Sequence, residues 1–397
     1  MQHLPMYRRL AGLAALTAIL AAGISPVTAA DEQPVELPTI LSVTGGAGFI
    51  GKESLESVQL VAGIVNAHGG IRGKQVKVAL QDTTTSPAIA VQLLNQLISK
   101  HVPAVFGPTF TSECNALAPL ITNGPLVSCY SPGVHPKAGS FMFSGGVGSD
   151  GMAAAIATYF RGRGWKSIGI ISSTDASGQD FEENFDKVMA LPVNSGLKLV
   201  AREHFATSDL SVDAQLSRIK SANPQTLIVW TAGTGLGVAL HAVHDVGLDV
   251  PIMAGNANMV RAQLGGYQGF APKVLLFPGI LGMTPLASSP AGVKAAQKQL
   301  TTAYAGEGLK PDLPGALSWD PTYLLLDAYK AIGWNATSDQ LRAWIASQHA
   351  WPGINGVYNF AKYPQRGIGA EACIIARWDA PAKDFTAVSG PGGLVTR

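Results

Sequence analysis

The segment Asn66-Ala-His-Gly-Gly-Ile-Arg-Gly-Lys74 decides the fold, because it turns a helix directly into a β-strand. Before it, apolar residues recur at helical spacing over residues 55–65, and the two adjacent glycines of the segment end that helix. After it, apolar and polar residues alternate over residues 76–82, as in a strand with one face in the core. The segment therefore predicts one helix–turn–strand unit.

The same alternation of helix and strand continues through most of the chain. Strands are predicted over residues 39–44, 76–82, 104–106, 125–129, 167–172, 197–202, 226–230, 251–253 and 372–378. Helices are predicted over residues 55–65, 88–99, 112–122, 152–161, 181–189, 212–221, 236–246, 293–304, 321–332 and 338–347. Strands that alternate with helices form parallel sheets. Because a Gly-rich stretch at 144–151 separates two such runs, we expect an α/β fold with two doubly wound parallel-sheet lobes.

The N-terminus indicates export. Arg8 and Arg9 precede an apolar run at 10–24, and small residues follow at 28–30, as in a secretory signal peptide spanning residues 1–30. The chain has 28 basic and 26 acidic residues, and removal of the two arginines leaves 26 of each. A neutral mature chain argues against nucleic acid or an anionic membrane as its partner. We expect a soluble, monomeric protein of the periplasm.

The three cysteines leave two alternatives open. In an oxidising compartment Cys114 and Cys129 can form a disulfide and leave Cys373 buried and free. The alternative is three small buried residues without a bridge.

A dinucleotide-binding fingerprint, Gly46-x-Gly48-x-x-Gly51, follows the first predicted strand. A nucleotide cofactor needs an acidic residue about 20 positions further on, at the end of the next strand. Here that strand ends at Asp82, 31 positions beyond the last glycine, and the Tyr358-x-x-x-Lys362 pair lies near the C-terminus. We therefore predict no cofactor and interpret the glycines as a tight turn into a helix.

Three other patterns carry weak chemical signals. The segment 233–237 repeats part of the glycine pattern, and His241 and His244 lie three apart on a predicted helix without a third metal ligand nearby. Cys114 with His135 could form a thiol nucleophile and base, but nothing in the sequence orients the pair. We predict no metal site and no catalytic residue.

The opening segment also resembles the N-x-x-G-G-I-x-G-K turn of the branched-chain amino-acid-binding proteins of ABC uptake transporters. The resemblance extends over the mature chain through the segments 105–108, 131–133, 173–178, 246–249 and 356–360. It implies a type I periplasmic binding fold with three hinge crossings, near residues 147, 280 and 352. The first lobe would then contain residues 31–147 and 281–351, and the second 148–280 and 352–397. The implied partners are a small solute and the permease and ATPase subunits of the transporter.

The resemblance and the rule that ligands bind at the carboxyl ends of parallel strands together place a solute site in the first lobe. The loop at 109–112 leads into a helix whose N–H groups, with the Thr111 and Ser112 hydroxyls, could hold a carboxylate. The alternative is that Ser112 only caps that helix. The predicted first-lobe site residues are Phe49, Phe110, Thr111, Ser112, Tyr130, Ser131, Gly133, Val134 and His135.

The second lobe departs from the resemblance. The predicted site residues there are Asp175, Ser177, Gly233, Thr234 and Asn256. Amino-acid binders of the family hold the ligand ammonium with an acid in the loop that reads Met253 to Asn258 here, and this loop has no acid. The family's aromatic residues are also replaced near 177 and 232–234, so this wall looks neutral and roomier. We expect an aromatic or other organic acid without an ammonium group. The alternatives are a branched-chain amino acid or small amide, or a ligand-sensing role with a receptor.

Overall fold

The computed structural model describes residues 33–396, so the predicted signal peptide lies outside the described residues. The β-strands are β1 Val35–Leu41, β2 Val76–Asp82, β3 Ala104–Phe106, β4 Leu126–Ser128, β5 Met142–Phe143, β6 Ser167–Ser173, β7 Lys198–Phe205, β8 Thr226–Trp230, β9 Ile252–Ala254, β10 Leu275–Ile280, β11 Trp351–Gly353, β12 Gly356–Tyr358, β13 Cys373–Asp379 and β14 Asp384–Ala387. The α-helices are α1 Gly48–Ala67, α2 Pro87–Ser99, α3 Thr111–Leu117, α4 Ser149–Arg163, α5 Ala176–Met189, α6 Asp213–Ser221, α7 Gly235–Asp245, α8 Arg261–Gly265, α9 Ala291–Gly306, α10 Leu313–Ile332 and α11 Ser338–Ala346.

Two sheets organise these elements. The first has the order β2-β1-β3-β4-β5, and every neighbouring pair is parallel. The second has the order β14-β13-β10-β9-β8-β6-β7, parallel from β7 to β10 and antiparallel at β13 and β14. Central strands such as β8 are buried along their whole length, as expected where helices cover both faces of a parallel sheet. The predicted α/β class with two parallel-sheet lobes is confirmed.

We call the first sheet with its helices the first lobe and the second sheet with its helices the second lobe. The chain passes between the sheets after β5, after β10 and again before β13. Helix α10 packs along α1, so it belongs to the first lobe although it follows the strands of the second. The hairpin of β11 and β12 lies between the last two crossings and contacts α9. The boundaries at 147, 280 and 352 stay a prediction.

Several predicted helices have different limits in the structure, and the differences in α3 and α10 concern the cleft. The helix expected at 112–122 ends at Leu117 and continues as a 3₁₀ turn at 118–120, because Pro119 has no N–H to donate. Helix α10 begins eight residues before Pro321, so that proline lies inside the helix instead of starting it. As a result the first turn of α10 reaches the cleft.

The sequence analysis also missed five strands, which are β5, β10, β11, β12 and β14. Strand β10 contains Pro278 and Gly279, which weaken a strand pattern. No helix within residues 33–396 is long and apolar enough to cross a bilayer.

Candidate solute-binding cleft

The loop that follows β1 is held in place by Asp82, the acidic residue at the end of β2 that was considered above as a ribose-binding acid. The Asp82 carboxylate accepts hydrogen bonds from the Val43 N–H at 3.0 Å and from the Thr44 hydroxyl at 2.6 Å. Although burial opposes it, these bonds and others from the backbone lower the pKa of Asp82. A Cβ on Gly51 would lie 2.0 Å from the Ser42 carbonyl oxygen, so this glycine allows α1 to pack against the end of β1. The fingerprint thus forms a helix–strand contact.

A cavity of about 90 Å³ lies between the two lobes, at the carboxyl ends of their strands. The first lobe lines it with Ile50, Thr109, Phe110, Thr111, Ser112, Tyr130, Ser131, Pro132, Gly133, Leu313, Pro314 and Leu317. The second lobe lines it with Asp175, Ala176, Ser177, Asp180, Trp230, Ala232, Asn256 and Ala257, and Ser149 lies at the first crossing.

Most of the predicted site residues line this cavity. They are Phe110, Thr111, Ser112, Tyr130, Ser131, Gly133, Asp175, Ser177 and Asn256. Their roles as ligand contacts stay predictions.

The other five predicted site residues are not among the lining residues. Phe49 is partly buried beside Ile50, which lines the cavity in its place. Val134 is buried in the first lobe, and His135 faces the second lobe instead. In the second lobe, the Gly233 carbonyl accepts a hydrogen bond from Gln263, and Thr234 is exposed.

The first-lobe wall is built from two loops that contact each other. The hydroxyls of Thr111 and Ser131 lie 2.7 Å apart and share one hydrogen bond, which leaves one hydroxyl hydrogen for a ligand. Gly133 is required beside them, because a Cβ there would lie 2.7 Å from the Thr111 hydroxyl oxygen. The buried Thr109 hydroxyl has no hydrogen-bond partner among the described residues. The wall therefore has unused hydrogen-bonding capacity.

Ser112 does not cap α3, which corrects one alternative from the sequence. The N-cap residue is Phe110, and no side chain makes the capping hydrogen bond. Ser112 lies in the first turn of α3 and lines the cavity. The Ser112 hydroxyl is therefore available for a different role.

A disulfide fastens the same two loops behind the wall. Cys114 on α3 bonds to Cys129, which precedes Tyr130, and both cysteines are fully buried. Of the two sequence alternatives, the bridged one is confirmed, and Cys373 is buried and free. Since Cys114 has no thiol in this state, the hypothesis of a thiol nucleophile paired with His135 is wrong.

The second-lobe wall contains an aromatic side chain and an acid that the sequence analysis did not predict. Trp230 ends β8, and its ring stacks on Phe181 with centroids 3.5 Å apart and planes 6° apart. Asp180 lies one turn into α5 and bonds to His135 and Ser149. Trp230 could have been found as the last residue of a predicted strand, whereas Asp180 depends on how α5 meets the first lobe. The expectation of a roomier second wall stays a prediction.

Two other predicted side chains of this wall are Asp175 and Asn256. Asp175 caps α5, because its Oδ1 accepts from the Gly178 N–H at 3.0 Å and from the Ser173 hydroxyl at 2.9 Å. The Asn256 side chain is 4% exposed, and its amide nitrogen has no hydrogen-bond partner among the described residues. The charged lining residues in the described part of the chain are thus Asp175 and Asp180, both acidic.

The lobes are in contact through two ion pairs. His135 Nε2 lies 2.7 Å from Asp180 Oδ1, and Arg261 Nη1 lies 2.7 Å from Asp312 Oδ1. A backbone hydrogen bond of 3.1 Å from Leu313 to Met259 runs beside the second pair. Burial raises the pKa of Asp312, against the opposing effect of Arg261. The structure therefore has the lobes closed over the cleft.

The other chemical signals considered for this chain correspond to ordinary structural contacts. His241 lies on the exposed face of α7 with Nδ1 2.8 Å from Asp245 Oδ2. Within residues 33–396, no three histidine, cysteine, aspartate or glutamate side chains gather to hold a metal ion. Ser149, His135 and Asp180 do not form a catalytic triad, because the serine and the aspartate both face the same imidazole nitrogen.

Two parallel-sheet lobes that close over one small cavity define a bilobal solute-binding protein. The chain belongs to the periplasmic binding protein family, whose profile matches residues 34–384. It is a family of proteins that bind small solutes for ABC transporters, and its members work in the periplasm.

Known relatives agree with this assignment. The chain is 22% identical over 296 residues to the leucine-, isoleucine-, valine-, threonine- and alanine-binding protein of Pseudomonas aeruginosa, covering 73% of this chain and 69% of that protein. The branched-chain amino acid transporter substrate-binding protein of Streptococcus pneumoniae, solved with isoleucine, superposes with a TM-score of 0.72 at 20% identity, covering 92% of this chain and 98% of that one. The fatty acid ABC transporter substrate-binding protein of Thermomonospora curvata superposes with a TM-score of 0.77 at 15% identity, covering 90% and 92%.

Proposed function

We propose that this protein captures a small organic acid without an ammonium group and delivers it to the permease and ATPase subunits of an ABC uptake transporter. The exported protein binds the solute on the first lobe, and hinge closure brings the second lobe over it and excludes water. The permease then recognises the closed form.

The observation that carries this proposal is the neutral amide of Asn256. It stands in the loop where the resemblance implies an acid for the ligand ammonium, and it is 4% exposed. Closing this loop over an ammonium ion would remove the ion from water with no acid in the loop to balance its charge. An acid without an ammonium group avoids that cost.

The first lobe supplies donors for the carboxylate. The Ser112 hydroxyl is free of capping, one hydroxyl hydrogen of the Thr111–Ser131 pair is unused, and Thr111 and Ser112 at the start of α3 line the cavity. Hydrogen bonds from several neutral donors stabilise a buried carboxylate.

The two acids of the second wall do not prevent an anion from binding. Asp180 accepts hydrogen bonds from Ser149 and Asn184 and lies 2.7 Å from His135 Nε2, so its oxygens are already bonded within the protein. The Asp175 carboxylate is held by the N-terminal turn of α5 as its cap. The fatty acid binder named among the solved relatives supports the idea that this fold also serves acids without an amino group.

A thermal-shift screen with matched pairs tests the proposal. Leucine and 4-methylpentanoate, and alanine and propanoate, differ only by the amino group. A ligand at a hundredfold over its Kd adds about 2.7 kcal/mol to the unfolding free energy, which is a clear shift. We expect the desamino acids to raise the midpoint and the amino acids to leave it unchanged. The reverse result would exclude this solute class.

The Asn256→Asp variant tests the role of the neutral Asn256 amide, because it replaces only the amide nitrogen with an oxygen. The new carboxylate should weaken binding of the acids by at least about tenfold, because two negative charges would meet in a closed cleft. Calorimetric titration of the wild type and the variant measures the ratio. Equal affinities would mean that Asn256 does not face the solute.

The alternative function is capture of a branched-chain amino acid, and Asp175 is the observation that favours it. Asp175→Asn keeps an oxygen for the cap of α5 but removes the charge, since asparagine caps helices about as well as aspartate. An amino-acid binder should lose affinity in this variant, whereas an acid binder should keep or gain it.

A further inference from the structure

Trp230 forms a fixed part of the cavity wall. The side chain is 4% exposed, and its ring lies flat on Phe181, which in turn stacks on Phe185 with centroids 5.7 Å apart. Both phenylalanines are fully buried in the second lobe. Because buried aromatic side chains support the indole from behind, it cannot move back without displacing the closely packed side chains of the core.

The first turn of α10 in the first lobe also lines the cavity. Leu313, Pro314 and Leu317 contribute its apolar surface. This turn is fastened to the second lobe, since Asp312 pairs with Arg261 and the Leu313 N–H donates to the Met259 carbonyl. While the lobes are closed, this wall is also held in place.

The space between fixed walls is small. The cavity measures about 90 Å³, whereas an apolar protein cavity of about 150 Å³ accommodates benzene. A ring or a long chain therefore does not fit without displacing one of the walls.

We propose that Trp230 limits the size of the solute, so that the closed protein accepts short aliphatic acids and excludes longer and ring-bearing ones. This inference rests on the proposed function for the acid group, but the size limit itself applies to any solute of the cleft. A tryptophan that only filled the core would affect stability and not the preference among solutes.

Calorimetric titration of a size series tests the limit. The probes are butanoate, hexanoate and 3-phenylpropanoate, titrated into the wild type and the Trp230→Ala variant. One methylene in an apolar pocket changes affinity by about 10- to 200-fold, so the wild type should prefer butanoate over both larger acids by at least about tenfold. Trp230→Ala should reverse that order by at least about tenfold.

Two further variants separate size selection from stability. Trp230→Phe keeps a ring on Phe181 and should give an intermediate preference, which preserves the test if the alanine variant does not fold. Phe185→Leu perturbs the same aromatic stack without touching the cavity, so it should lower the melting temperature and keep the wild-type order.

The outcomes distinguish the two proposals. If the wild type binds 3-phenylpropanoate as tightly as butanoate, or if both Trp230 variants keep the wild-type order, the size limit is wrong. If no acid binds but amino acids do, the proposed function fails, and the series alanine, leucine and phenylalanine tests the same limit. A preference for alanine that reverses in Trp230→Ala would then support it.

Discussion

The two ion pairs that join the lobes have the same length and different surroundings. Arg261 and Asp312 lie 2.7 Å apart with side chains 18% and 8% exposed. His135 and Asp180 also lie 2.7 Å apart, but the histidine side chain is 45% exposed. Burial decides the strength of an ion pair more than distance does, because solvent screens exposed charges.

The buried pair is also more extensively bonded. Asp312 accepts from the Arg261 backbone N–H at 3.1 Å as well as from its guanidinium. The guanidinium also donates to the Pro311 carbonyl and to Asp384, which in turn pairs with Lys310. This network should therefore persist, whereas the His135 pair should break and form as the cleft opens and closes.

Arg261→Ala should give the largest effect. Removing one partner of a buried pair leaves an unpaired buried charge, which costs about 3–5 kcal/mol. Urea unfolding measures the loss. Lys310→Ala is the matched control, because that lysine binds the same network from an exposed position and should cost at most about 1 kcal/mol. Equal losses in the two variants would contradict the comparison.

The double variant Arg261→Ala/Asp312→Ala sharpens the same point. If the unpaired Asp312 charge causes most of the stability loss in Arg261→Ala, removing Asp312 as well should recover part of the stability. The interaction energy comes from unfolding curves of the two single variants and the double variant. Purely additive losses would show that the pair acts mainly through packing.

Glu53 next to the buried pair should make stability depend on pH. Burial and then the Asp312 charge raise the pKa of Glu53 from 4.5 to about 7. Between these values the unfolded chain releases its proton and the folded chain keeps it, so stability falls as the pH rises and stays lower above pH 7. Glu53→Gln should remove this deficit and add about 1–2 kcal/mol at pH 8, after allowance for solvent screening.

Unfolding curves at pH 4.5 and pH 8 check the Glu53 prediction. At the lower pH the wild type and the variant should have nearly equal stability. Glu36→Gln is the control, because Glu36 is exposed and pairs with Lys77 on the surface. If Glu36→Gln also gained stability at pH 8, the effect would come from the change in net charge and not from Glu53 itself.

The two ion pairs also show what the sequence could and could not predict. The helix–turn–strand unit at 66–82 follows from local periodicity, whereas the resemblance and the strand-end rule together led to Thr111, Ser131 and Asn256, which line the cavity. Arg261 and Asp312 are 51 residues apart and meet only because the lobes pack together. No local pattern encodes such a pair.

His135 shows the same limit of prediction from local sequence. Its loop was predicted correctly to reach the cleft edge, but its partner Asp180 lies on a helix of the other lobe. A strand-end rule locates loops, and it does not give the direction of each side chain. Trp230 was missed although it ends a predicted strand, because the resemblance pointed to the following loop and the predicted site began at Gly233, three residues later.

His135→Ala should give the smallest effect on stability, at most about 1 kcal/mol, because the histidine side chain is 45% exposed. Asp180 would keep its bonds to Ser149 and Asn184, so no charge would be left without a partner. Urea unfolding at low and high salt measures the loss, which should shrink as salt screens the pair. The same variant should release solute faster, because the contact holds the lobes closed, and stopped-flow dissociation measures that rate. A loss of stability as large as that of Arg261→Ala would mean that both pairs stay formed at all times. The cleft would then have to open without breaking either pair.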